Sequence, residues 1–133
     1  MALKLNNAIR STIVNSGVVG QLGTNAILKV YGGTQPGTGG ATAGTQAVIV
    51  QISGIAWNAA TNGTAAILAS KTGTAGSSGT STWARLSDVS GTAYIIDGVC
   101  GTASTADFLI DSQVISASAV ITLTSATLIQ PAG

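Results

Sequence analysis

Apolar positions along this 133-residue chain recur in short runs, and clusters of Gly, Ser, Thr and Asn separate the runs. Alternation over four to eight residues between such clusters is the signature of β-strands with one buried face. Residues 26–31 read as a first strand, with Leu28 and Val30 on one face and Ile27, Lys29 and Tyr31 on the other. Residues 47–53 form a second, with Val48, Val50 and Ile52 sharing a face. Residues 55–60 continue the sheet with Trp57 as anchor, Asn62-Gly63 marks a turn, and 64–70 return as a strand. Residues 80–87 alternate again, setting Trp83 and Arg85 opposite Ala84 and Leu86. A strand at 92–97 is broken by Gly98, and strands at 106–110, 113–116 and 119–129 complete the set before Pro131.

The N-terminal residues follow a different period. Asn6 suits an N-cap, Gly17 a C-terminal stop, and Leu5, Ile9 and Ile13 fall on one stripe at i, i+4 spacing. A helix this short needs a surface to dock on, either an open end of the sheet or a neighbouring subunit. Residues 32–46 contain no large apolar side chain and are expected as a long exposed loop. Residues 71–80 form a second Gly/Ser/Thr segment, expected as loop or neighbour-facing surface. About eight short strands with turn signals between them predict an all-β chain. The expected architecture is a single domain over 1–133. Residues 1–18 form an N-terminal arm or helix, and 24–130 a jelly-roll-like β-sandwich with long sheet-switching loops.

Composition then narrows the function. The chain has nine charged side chains, no His, no Glu and one Cys. General acid–base catalysis runs mostly on His, Glu or Asp, and transition-metal sites on His or several Cys, so the sequence points away from an enzyme. A net charge of +1, with five scattered bases, offers no basic patch for nucleic acid. No run approaches a membrane helix, and the N-terminus shows no signal peptide, so synthesis in the host cytoplasm is expected. A surface this poor in charge is expected to be covered by neighbours, because charge is what keeps soluble monomers apart. Cys100 is expected as a small buried hydrophobe.

Few residues offer site chemistry. Asp97, Asp107 and Asp111 invite a test as a calcium site, but their long gaps lack the ligand density of a calcium loop. Capping of local backbone amides is the simpler role for each. Ser70 and Lys71 are adjacent, which on a strand points them to opposite faces and disfavours a Ser–Lys pair. No cofactor is implied. Trp57 is expected in the core. Trp83 fits core or interface equally, and Arg85, on its face, either lies over the ring or reaches a partner.

The order of features in the second half has a counterpart. Trp83-Ala84-Arg85-Leu86, Asp88, Gly91, Ile96-Asp97-Gly98-Val99, Gly101, Ala106-Asp107 and Pro131 occur in sequence, after Met1-Ala2-Leu3-Lys4-Leu5 and Val30-Tyr31-Gly32-Gly33-Thr34-Gln35-Pro36. This pattern resembles a group of small virion proteins of tailed bacteriophages. It departs from them in having few acids and an expanded loop at 32–46. The resemblance implies a structural role, as a capsid decoration (cement) protein that binds the major capsid protein and itself, as a dimer or trimer, on the virion surface. The alternatives are a tail or head–tail connector component and, in another class, a carbohydrate-binding host-attachment module using Trp83 and Tyr94. The residues expected to touch a partner are Leu3, Leu5, Ile9, Ile13, Trp83 and Arg85.

Overall fold

The computed structural model describes residues 3–37, 46–91 and 94–131. The chain is mostly β, with one N-terminal helical segment. Asn6 caps this segment as its sequence suggests, its Oδ1 accepting the Ala8 amide at 2.7 Å. α-Helix α1 spans Asn7–Thr12, the turns widen to π type over Ile13–Val19, and α2 closes the segment at Gly20–Leu22. Gly17 does not stop it. The stop is Gly23, where φ is +71°. The residues past Gly17 supply the reason: Val14 and Leu22 are buried and Val18 and Val19 pack beside them, so tertiary burial outweighs the modest cost of a helical glycine.

Ten strands follow: β1 Ala26–Tyr31, β2 Val48–Ile55, β3 Thr64–Ala66, β4 Lys71–Thr74, β5 Gly79–Thr80, β6 Trp83–Ser87, β7 Tyr94–Gly101, β8 Phe108–Ile110, β9 Val114–Ile115 and β10 Val120–Ile129. Eight of them form one sheet in the order β2-β1-β6-β7-β8-β10-β3, with β4 also paired to β10. β5 and β9 make a separate two-stranded ribbon. The sheet curls until its ends meet. β3 and β4 lie end to end along one edge of β10, and bridges at Val50–Ala75 and Trp57–Ile67 join that layer to β2. The ring therefore has an odd number of positions. Strands that alternate in direction cannot close an odd ring, so one neighbouring pair must be parallel, and it is β7 with β8.

Two glycines let the backbones approach. A Cβ on Gly98 would lie 2.9 Å from the Asp107 Cβ and 3.0 Å from the Phe108 ring. Gly98 therefore does not break β7; it admits the return of the chain through 102–107, which starts β8 alongside β7. A Cβ on Gly73 would fall on the Gln51 carbonyl oxygen. Residues 71–74, expected as loop, become a strand because partners on both sides, β10 and β2, override weak intrinsic preference.

Bulges keep the core in phase. Gly54, at φ +75°, shifts β2 so that Val50, Ile52 and Ile55 all face inward. A register shift after Leu123 does the same for β10, where Ile121 and Leu123 are followed by Ala126 and Leu128. The Asn62-Gly63 turn forms as its dipeptide predicts, with φ of +52° and +78° and paired bonds between Thr61 and Thr64. Gly73→Val is expected to lower stability by about 2 kcal/mol or more, read by chemical denaturation, because the added side chain forces β4 off β2.

Candidate functional site

β6 is buried on both faces. Ala84 and Leu86 join the main core; Trp83, Arg85 and Ser87 are buried on the opposite face of the sheet. Cross-strand register places Tyr31 beside Trp83, and both Lys29 and Asp97 beside Arg85. The Tyr31 and Trp83 rings stack at 4.5 Å with an interplanar angle of 12°. The Arg85 guanidinium carbon lies 5.3 Å from the Trp83 ring centroid. Arg85 Nε and Nη2 each donate to one Asp97 carboxylate oxygen at 2.7 Å, a bidentate pair. Trp83 Nε1 donates to Gln46 Oε1 at 2.8 Å, and Gln46 Nε2 in turn donates to the Thr34 carbonyl. Trp83 and Arg85 are each 1% exposed. These two residues, expected to contact a partner, instead hold three strands together, and no sugar can stack on Trp83 without opening the cluster. The side chain of Tyr94 lies outside the described residues, as do positions 38–45 of the expected loop.

The other expected contact residues do face outward. α1 buries none of its side chains. Leu3 is 95% exposed, and Leu5, just before the Asn6 cap, Ile9 and Ile13 are exposed as well. The mount beneath them is polar. Arg10 Nε donates to the Gln130 carbonyl, Ser11 Oγ accepts the Gly63 amide, and Asn15 Oδ1 accepts the Ala60 amide. The Asn62-Gly63 turn thus seats the helix, and a Cβ on Gly63 would press on the Arg10 side chain at 2.8 Å. Val14 and Leu22 plug the end of the curled sheet below.

Beside this helix opens a pocket of about 220 Å³, lined by Ile13, Val14, Val18 and Trp57, by Ile96, Asp97, Asp107 and Phe108, and by residues 126–130 of β10 and its end. Nothing in the sequence groups these residues; the closed ring brings them together. Trp57 is in the core as expected, and its Nε1 is buried with no hydrogen-bond partner.

The aspartates are occupied one by one. Asp107 Oδ2 accepts the Val99 amide at 2.8 Å, Asp111 Oδ1 the Thr122 amide at 2.9 Å, and Asp88 Oδ1 the Ser90 amide at 3.0 Å. Asp97 departs from this pattern by pairing with Arg85. Among the described residues no group of three metal-ligating side chains forms. No helix is long and apolar enough to cross a membrane among the described residues. Comparison with protein families, curated proteins and solved structures finds no match.

Two variants probe the buried groups. Arg85→Ala leaves Asp97 buried and unpaired, and is expected to cost about 3–5 kcal/mol in chemical denaturation. Arg85→Met with Asp97→Ala should cost clearly less, since no lone charge remains. Burial pushes the Cys100 thiol up from 9.0 to about 12. In the unfolded chain the thiol ionises from about pH 9, while in the folded chain it stays protonated until about pH 12. Its contribution to stability is therefore complete below pH 9 and declines as pH rises towards 12. Cys100→Ala should flatten that part of the stability–pH curve, and Cys100 of the folded chain should resist a thiol reagent at pH 8.

Proposed function

We infer that this protein is a structural subunit of a tailed-phage virion, a decoration (cement) protein that stabilises the head by bridging major capsid subunits. One observation carries the reading: the few charges the chain has are mostly spent on its own backbone and core. Arg85 and Asp97 pair in the interior. Arg10 and Lys29 donate to the carbonyls of Gln130 and Gly91, and Asp88, Asp107 and Asp111 accept backbone amides. Among the described residues this leaves Lys4 and Lys71 as charges with no such partner. Apolar side chains meanwhile stand exposed all over the molecule, among them Leu68, Val99, Val114, Val120 and Ile129, besides the N-terminal stripe.

A surface of that kind is suited to coverage on several sides at once. Each contact is small, and repetition over a symmetric shell multiplies it into avidity. The curled sheet supplies a rigid body for this work. Its walls, β2-β1-β6-β7 and β8-β10 with β3 and β4, are the form in which we read the jelly-roll-like sandwich expected from the sequence. The function is then mechanical, without catalysis or cofactor, on the outer surface of a particle assembled in the host cytoplasm.

Purified protein added to capsids stripped of it should rebind at a fixed, high copy number and restore their resistance to heat. Failure to rebind, together with equal heat resistance of particles that lack it, rejects the reading. A count of only a few copies per virion would favour the tail or head–tail connector.

A further inference from the structure

The N-terminal stripe and the pocket beside it lie on one face of the molecule, and each matches the other's chemistry rather than its own surroundings. We propose that this face binds a second copy of the chain, two copies exchanging their arms so that Leu3 of each enters the pocket of the other. The proposal rests on the reading that the N-terminal segment is a contact element, and names its first partner as the chain itself.

The geometry of the stripe supports a two-fold arrangement. Ile9 lies midway between Leu5 and Ile13, and all three are exposed. Two α1 helices packed antiparallel with their Ile9 residues at the axis therefore place Leu5 of each against Ile13 of the other. Such a contact is self-complementary, as a two-fold interface requires. The reach also fits. From Ile9 back to Asn6 the helix covers about 4.5 Å at about 1.5 Å per residue. Leu5 to Leu3 add about 10 Å of extended chain at about 3.3 Å per residue. Leu3 thus arrives about 15 Å from the axis. Val18, nine positions beyond Ile9, lies at most about 13 Å away by the same rise, and somewhat less because the turns widen to π type from Ile13; Ile13, Val14 and Val18 form one wall of the pocket.

Size and charge agree. The pocket, at about 220 Å³, exceeds the roughly 150 Å³ apolar cavity that takes up benzene in an engineered protein, so a leucine side chain fits. Leu3 is 95% exposed, with nothing among the described residues to cover it. Lys4 follows it and has no partner among the described residues, while the pocket carries the exposed Asp107, whose Oδ2 accepts the Val99 amide and which makes no ion pair there. Arg85 already neutralises the other lining carboxylate, Asp97. The arm thus offers an apolar–cation–apolar triplet, Leu3-Lys4-Leu5, to a mostly apolar pocket that carries one carboxylate without an ion pair. An exposed ion pair adds little affinity, so Lys4 and Asp107 set the direction of entry while Leu3 supplies the binding.

Sedimentation of the full chain over a range of concentrations tests this. The expected result is a reversible dimer whose dissociation constant rises about a hundredfold or more in Leu3→Ser, the loss expected when the dimer's two Leu3 side chains are no longer buried. Ile129, an exposed lining residue, gives a second measurement that does not depend on affinity. An oxidised mixture of Leu3→Cys and Ile129→Cys chains should form a 3–129 disulfide between copies, which Leu3→Cys chains alone cannot form; the buried Cys100 stays out of the reaction. A chain that remains monomeric overturns the proposal, as does a dimer whose mixed variants give no 3–129 cross-link. A monomer that rebinds stripped capsids would reject arm exchange and spare the capsid reading. An arm-exchanged dimer that never binds capsids would do the reverse.

Discussion

A curled sheet has no stable halfway form: unless its two ends meet, each leaves a row of unpaired amides and carbonyls and the core between them stays wet. Here the closure runs through the contact of β4 and β3 with β2, at the Val50–Ala75 and Trp57–Ile67 bridges. Much else follows from it. The odd ring forces the parallel β7/β8 pair; that pair forces the chain to double back through 102–107; and the doubling back sets Asp107 against Val99 and requires glycine at 98. The pocket by the helix is the space left where β7, β8 and the end of β10 come round to the same opening.

Charge is used sparingly and inward. A buried ion pair is weak evidence for stability, because desolvation offsets much of its attraction. Arg85 and Asp97 are better understood through geometry. The two-pronged bond links β6 to β7, and the guanidinium lies against Trp83, whose ring stacks on Tyr31 of β1. One planar layer thereby ties three neighbouring strands on the face that the main core does not reach. Replacing it with aliphatic groups would retain burial and lose the directional bonds that set how the strands lie.

The parts of this fold legible in the sequence are those decided by local chemistry. Asn6 caps, Asn62-Gly63 turns and 26–31 alternates because a few neighbouring residues suffice to make each happen. Three of the misread positions are glycines whose reason is remote. Gly17 looked like a stop, but Val14 and Leu22 find a core to enter; Gly98 looked like a break, but Asp107 and Phe108 need its missing side chain; Gly73 sat in a segment without apolar residues, and only Gln51 explains it. The spacing of Leu5, Ile9 and Ile13 marked a short helix in need of a surface, and all three side chains stand exposed. For Trp83 the choice between core and interface, and for Arg85 between the ring and a partner, stayed open because alternation separates the two faces of a strand without telling whether the second is dry. The pocket could not be read at all, since Ile13, Ile96, Phe108 and Leu128 share no sequence pattern.

The seat of the N-terminal helix has a consequence for timing. Its anchors are Ala60 and Gly63 in the β3 hairpin and Gln130 at the far end of β10, so the helix is held by residues 45 to 120 positions later in the chain. Closing loops of such length delays docking until the ring exists. The helix is too short to persist alone, and before docking its apolar residues belong to a fluctuating coil rather than an ordered stripe. Presentation of that stripe is therefore a late event that reports a closed ring. An assembly that recognised the stripe would admit completed molecules and pass over unfinished ones, a checkpoint written into the connectivity of the chain.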